Sequence, residues 1–240
     1  MSGYFGDKTM CTPACVQFGR SSVTPDEVKN KKVIEIGSYD VNGSFKSFMK
    51  NWEPEQYLGV DIENGPGVDL VCSADDVLSR FGKEAFDIVI STELLEHVKD
   101  WRLVISNMKN ICKPNGIILI TTRSFGFPFH GYPYDFWRYE MEDMKTIFSD
   151  CIIEKLEKDS GDPGVFLKVR KPANFTEKDL SKYDLFSILS GQKTSKVDED
   201  AFNRFRNQFR LKIFIHRIHR FVHKYGKLFK IKLRKMSGQV

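Results

Sequence analysis

The stretch from Lys32 to Phe45, KVIEIGSYDVNGSF, constrains the fold of this chain more than any other. Val33, Ile34 and Ile36 with one carboxylate, Glu35, read as a short buried parallel strand. Gly37 breaks it, a polar turn follows, and Gly43-Ser44 opens a helix. A buried strand that ends in a glycine turn and feeds a helix is a nucleotide-binding device. The glycine lets a ligand approach the backbone, and the helix start offers free N–H groups. The Gly37 to Gly43 spacing is not G-x-G-x-x-G, so the dinucleotide fingerprint fails. Glu35 places negative charge where a pyrophosphate would sit, so the expected ligand is cationic.

The sequel repeats the pattern. Gln56 to Asp61, QYLGVD, is a second strand ending in an acid that can accept from two adjacent ribose hydroxyls. Asp69 to Cys72 is a short third strand, Phe86 to Thr92 a fourth, and Gly116 to Thr122 a fifth after a Pro-Asn-Gly turn. Helices are expected over Ser44–Lys50, Asp75–Phe81, Lys99–Cys112 and Met141–Phe148. In the third of these, Trp101, Val104, Ile105, Met108 and Ile111 fall at helical spacing. Cys151–Lys158 and Gly164–Lys171 follow as two strands joined by Ser-Gly-Asp-Pro. Strands alternating with helices imply a parallel sheet covered on both faces.

The segments EIGSYDVNG, GVDIE, FDIVISTELLEHV and NICKPNGIILITT resemble the class I S-adenosylmethionine-dependent methyltransferases. A closer resemblance is to a subgroup carrying YDVNGS and HGYPYDFWRY, over roughly Cys11 to Pro172. The resemblance implies a Rossmann-like, doubly wound, mostly parallel α/β sheet of seven strands whose last strand runs antiparallel. It also implies S-adenosylmethionine as cofactor, a ligand with an ammonium and a sulfonium and no phosphate. The basic C-terminal stretch adds a helical extension. The expected organisation is an irregular arm and short capping helix over 1–31, the methyltransferase domain over 32–172, a linker over 173–200 and an amphipathic tail over 201–240. Within the first part, Thr24-Pro25-Asp26-Glu27 carries a capping-box signature.

Ligands of open α/β sheets sit beyond the carboxyl ends of the strands. That rule gathers Glu35, Gly37, Asp61, Ser73, Thr92 and Thr122 around one cleft; the expected cofactor contacts are Glu35, Gly37, Ser38, Asp61, Ile62, Ser73, Asp75, Thr92 and Glu93. Many relatives carry Asp-Ala after the third strand; this chain has Ser73-Ala74-Asp75-Asp76, so either Ser73 or Asp75 reads the adenine. Relatives close the segment after the fourth strand over the methionine end of the cofactor, which puts His97 near the acceptor. Neither the Asn/Asp-Pro-Pro-aromatic turn of base-amine enzymes nor the Pro-Cys of cytosine-carbon enzymes is present, which disfavours nucleobase methylation.

Arg123 to Tyr139, RSFGFPFHGYPYDFWRY, holds eight aromatic residues in seventeen, with one His and one Asp. An alcohol is a poor nucleophile at neutral pH, so methyl transfer to a hydroxyl needs a base. His130 is the expected base, with Asp135 as the other catalytic candidate. Tyr132, Tyr134, Trp137 and Arg138 are expected on the acceptor, since aromatic faces and paired polar groups suit a sugar ring. The dull alternative is an aromatic core plug in which His130 merely bonds backbone.

The formal net charge of +5 hides an asymmetry. Residues 172–240 carry 16 Lys/Arg against 6 Asp/Glu, and the last forty carry 12 Lys/Arg and no acid. On a helical wheel Leu211, Phe214, Ile215, Ile218, Phe221, Val222, Tyr225, Leu228 and Phe229 fall within an arc of roughly 140°, with Lys, Arg and His opposite. That pattern over 211–230 suits an anionic membrane surface. No window approaches ~20 apolar residues and the first residues lack a signal-peptide core, so a cytoplasmic protein, peripheral on the inner face of a membrane, is expected. Five cysteines, an odd number, read as reduced thiols. Cys11-x-x-x-Cys15 has no third cysteine three residues on, and no metal-ligand set is read from the sequence. The expected function is O-methylation of a small-molecule, glycan or lipid-linked acceptor at a membrane. The alternatives are an RNA or protein methyltransferase holding a polyanion with its tail, and a non-catalytic scaffold. Oligomers are compatible with all three.

Overall fold

In the computed structural model, residues 12–40, 43–130 and 134–208 are described. The chain divides into two units, Met1–Val197 and Asp198–Val240. The first is built on a seven-stranded sheet of order β3-β2-β1-β4-β5-β8-β7. Its strands are β1 (Lys32–Ile36), β2 (Gln56–Asp61), β3 (Leu70–Val71), β4 (Phe86–Thr92), β5 (Cys112–Arg123), β7 (Ile152–Lys158) and β8 (Gly164–Arg170). β1 to β5 run parallel, and β8 enters antiparallel between β5 and β7. The α/β Rossmann-like class expected from the sequence is the observed one. The order reverses between β1 and β4, the crevice where open sheets place ligands.

Burial explains the strand compositions. Val33, Ile34, Val89, Ile90, Ile118, Leu119 and Ile120 are all within 1% of full burial, as a parallel sheet covered on both faces requires. Among the covering helices, α5 (Trp101–Ile111) is capped by Asp100, whose carboxylate accepts from the Leu103 N–H at 3.1 Å. It buries Trp101, Val104, Ile105, Met108 and Ile111, the stripe its sequence spells. α2 (Pro25–Val28) carries the expected capping box of Thr24 and Glu27. The other helices are α3 (Lys46–Met49), continued by a 3-10 turn over Lys50–Trp52, α4 (Val77–Phe81) and α6 (Met141–Ile147).

Two stretches differ from expectation. Part of the supposed irregular arm is α1 (Pro13–Ser22), started by Thr12, whose hydroxyl accepts from the Cys15 N–H. Cys15, Phe18, Gly19 and Ser22 lie one helical turn apart and are buried, with Phe18 against Phe166 at 5.1 Å between ring centroids. The supposed linker is partly ordered into a second sheet. β9 (Leu185–Ser187) pairs antiparallel with β10 (Gln192–Thr194) and with β6 (Trp137–Arg138). Leu185 at 0% exposure anchors it. In the second unit, residues 199–208 are helical, with Asp198 accepting from the Asp200 and Ala201 N–H groups. The amphipathic stretch 211–230 lies outside the described residues. Among those described, no helix is long and apolar enough to cross a membrane.

Candidate active site

The cofactor side is built where β1 and β2 end. Gly37 takes φ +80°, and its N–H and that of Ser38 both donate to the Val60 carbonyl, at 2.9 and 3.1 Å. A Cβ at Gly37 would stand 3.0 Å from Cβ of Leu94, so the loop after β1 lies directly against the loop after β4. Glu35, Gly37, Ser38 and Thr92 line one cleft together with Ser44. Glu35 is 1% exposed and accepts from the Tyr57 hydroxyl at 2.8 Å and the Ser44 hydroxyl at 3.0 Å. Burial raises its carboxyl to about 7, against the lowering effect of those two hydroxyls.

Asp61 holds the neighbouring loops. Its two oxygens accept from the N–H groups of Tyr39 and Glu63, each at 3.1 Å. Each oxygen retains a lone pair for another donor. Ile62 beside it is 63% exposed, an open apolar face next to a carboxylate. Ser73 accepts from the Asp75 N–H at 3.3 Å. Asp75 is exposed, and the carbonyls of Ala74 and Asp75 are held by the Asn107 side chain at 3.1 and 2.8 Å. The set fits S-adenosylmethionine on three counts. A carboxylate is buried at the end of β1, the positive-φ glycine has no room for a side chain, and the buried Ser38 hydroxyl has no partner among the described residues.

The acceptor side forms after β4 and β5. A 3-10 turn over Leu95–His97 presents Glu96 and His97. Glu96 is fully buried, and its Oε2 accepts from the Thr122 hydroxyl at 2.8 Å. Its Oε1 has no hydrogen-bond partner among the described residues and faces Nε2 of His130 at 3.7 Å and Nε2 of His97 at 3.9 Å. His130 Nδ1 donates to Asp135 at 3.1 Å, and Arg138 grips both oxygens of that aspartate at 2.6 and 2.9 Å. His97 Nδ1 donates to the Tyr134 carbonyl. Burial opposes charge on His130, but Asp135 and Glu96 outweigh it and raise His130 to about 9. Burial would likewise raise both acids. His130 and His97 instead hold Glu96 down at about 2, and Arg138 then His130 hold Asp135 at about 2. His130 is therefore an imidazolium at neutral pH in this arrangement, a donor rather than an acceptor.

Several expected contacts are placed otherwise. Glu93, at φ 53°, is buried in an ion pair with Arg123 and lies 3.5 Å from the Cys15 thiol. Trp137 is buried, its ring N–H donating to the Val98 carbonyl at 3.0 Å, and Arg138 is taken up by Asp135. Neither is open to an acceptor in this arrangement. Asp135, also fully buried, reaches the cleft only through His130. Tyr134 is 54% exposed, and Tyr132 lies outside the described residues. Cys72, Cys112 and Cys151 are free thiols; Cys11 lies outside the described residues.

A family model described as "Methyltransferase domain" matches residues 19–149, more than half of the chain. The chain belongs to the methyltransferase-domain family. This methyltransferase depends on S-adenosylmethionine, as its motifs lead one to expect. It is 26% identical over 208 residues to a ubiquinone biosynthesis O-methyltransferase of Bartonella tribocorum, covering 79% of this chain and 74% of that protein. A protein of the same name from Sinorhizobium fredii is 26% identical over 126 residues, covering 45% of this chain and 47% of the relative, so the match spans about half that relative's length. The fold is shared with an S-adenosylmethionine-dependent methyltransferase from Mesorhizobium loti, at TM-score 0.52, 15% identity, and coverage of 66% of this chain and 98% of that one.

Proposed function

We propose that this methyltransferase modifies an oxygen of a hydroxyl-bearing acceptor, of the glycan or lipid-linked class, at a membrane surface. The observation that carries the reading is the cluster of Glu96, His97 and His130 just past the ends of β4 and β5, next to the loop that touches Gly37. The two relatives named as O-methyltransferases of ubiquinone biosynthesis favour the lipid-linked member of that class.

When bound, S-adenosylmethionine supplies a methyl group that the acceptor oxygen takes as the carbon–sulfur electron pair leaves to sulfur. Glu35 and Asp61 are suited to the ligand's ammonium and ribose hydroxyls, Ile62 to an aromatic face, and Ser73 or Asp75 to the adenine amine. His130 is suited to donate to an acceptor oxygen and to stabilise the oxyanion that remains when the hydroxyl proton leaves to solvent. Asp135, held by Arg138, fixes the imidazole ring. Tyr134 offers an exposed aromatic face at the rim.

The test is incubation of the full chain with methyl-labelled cofactor and separated lipid, glycolipid, protein and RNA fractions. Label in a base-stable ether of a lipid or glycolipid is the expected result. Label confined to RNA or protein, or no transfer to any fraction, overturns the reading.

A further inference from the structure

We propose that Glu96, His97 and His130 form a binding site for one divalent transition-metal ion of the Mn²⁺ to Zn²⁺ series. The three side chains present one ligand atom each, all within 4.8 Å of one another. Two ligands about 2.1 Å from a shared ion stand roughly 3–4 Å apart, and the two Glu96–histidine separations of 3.7 and 3.9 Å fall in that range. They are too long for hydrogen bonds. Glu96 thus keeps a fully buried oxygen without a hydrogen bond among the described residues, a position that a cation seated between it and the two histidines would fill.

The supporting contacts are those a metal site needs. A ligating histidine donates its other ring N–H to a carboxylate or carbonyl, which fixes the tautomer and leaves the ligand nitrogen bare. Here both histidines do so: His130 through Nδ1 to Asp135, and His97 through Nδ1 to the Tyr134 carbonyl. Asp135 is itself clamped by Arg138, and Glu96 is oriented by the Thr122 hydroxyl. Each ligand is therefore held from behind by a separate element. Two imidazoles and one carboxylate leave coordination positions open and suit borderline ions rather than Ca²⁺ or Mg²⁺. The two histidine side chains retain 13% and 19% exposure, so the ion's open positions are reachable from solvent. The ligands are adjacent at 96–97 and then 33 residues away, which is why spacing alone does not reveal them.

The role of the ion rests on the proposed O-methylation. A Lewis acid bound to the acceptor oxygen lowers the pKa of its hydroxyl, so the proton leaves to water before the oxygen forms its bond to carbon. The ion would take the place of the His130 proton as the positive charge at this spot.

The experiment uses the full chain without a polyhistidine tag, stripped with chelator and titrated with Mn²⁺ by electron paramagnetic resonance and with Zn²⁺ by calorimetry. One ion per chain is expected, with affinity reduced at least tenfold in Glu96→Gln and in His97→Asn. S-adenosylhomocysteine binding and thermal unfolding identify a folded variant. Two variants guard against the misfolding of either. Absence of saturable binding by the native chain, or unchanged affinity in both folded variants, overturns the site. Saturable binding lost in the variants, with no transfer to any hydroxyl acceptor, leaves the metal site standing and removes the O-methylation reading. Full O-methyl transfer by the stripped chain with no measurable ion binding does the reverse.

Discussion

Oε1 of Glu96 faces Nε2 of His130 across 3.7 Å, and this pair joins two parts of the chain that differ in how readily their roles can be read. Glu96 ends a motif that follows β4. His130 sits in an aromatic segment after β5. Their approach sets a buried carboxylate beside an imidazole just past the ends of β4 and β5.

Asp61→Ala weakens cofactor binding by about 2–3 kcal/mol, roughly a 30- to 150-fold rise in Kd. Part of the loss comes from the loops, because the same carboxylate holds the Tyr39 and Glu63 N–H groups. Calorimetry with S-adenosylhomocysteine measures it. An unchanged affinity in a folded Asp61→Ala protein would remove this residue from the site.

Glu35 makes cofactor affinity pH-dependent. Its carboxyl is raised to about 7 by burial, so the free protein holds it largely protonated at pH 6 and ionised at pH 8. A ligand ammonium prefers the carboxylate, so affinity rises over that interval and levels above it. The folded protein without ligand behaves oppositely. Its raised pKa stabilises the fold fully below the unfolded carboxylate value, and that contribution, on the order of 3 kcal/mol, is lost as pH rises through about 7. Glu35→Gln should flatten both slopes; a pH profile of S-adenosylhomocysteine binding that stays steep in this variant would assign the titration elsewhere.

Phe18→Ala costs about 3–5 kcal/mol of stability, because the ring is 2% exposed and packs on Phe166 and the core beneath β8. Denaturant unfolding measures it, and a loss below about 1 kcal/mol would mean that α1 contributes little to the core.

That helix marks a limit of sequence reading. β1, β2, β4 and β5 are legible because buried parallel strands are continuous apolar runs, and Asp61 is legible because it ends one of them. α1 buries Cys15, Phe18, Gly19 and Ser22, of which Phe18 alone is a large apolar side chain, so its apolar stripe is thin. Its signal is the Thr12-Pro13 start. β9 and β10 are three residues each and are stabilised by pairing, β10 with β9 and β9 with β6, rather than by their own pattern. Glu96 is hidden for a different reason: its importance comes from two histidines that only the fold brings to it. The same holds for Trp137 and Arg138, whose residue types suit an acceptor but whose burial is set by the second sheet and by Asp135.

The basic tail is expected to hold the chain on anionic lipid. A chain ending at Val197 preserves β10 and the first unit, so it serves as the truncation for the test. Co-sedimentation with vesicles containing anionic lipid should retain the full chain at low salt and release the truncated one. Equal release of both at low salt would make the tail something other than a lipid anchor.

Cofactor binding and acceptor chemistry are assigned to separate residues, Glu35 and Asp61 on one side and His130 on the other, and His130→Ala tests that separation most directly. Turnover of the acceptor identified by labelling should fall about 10²–10³-fold while S-adenosylhomocysteine affinity stays at the native value. Native turnover in the folded variant, or a loss of cofactor affinity that accounts for the whole loss of turnover, would contradict the account.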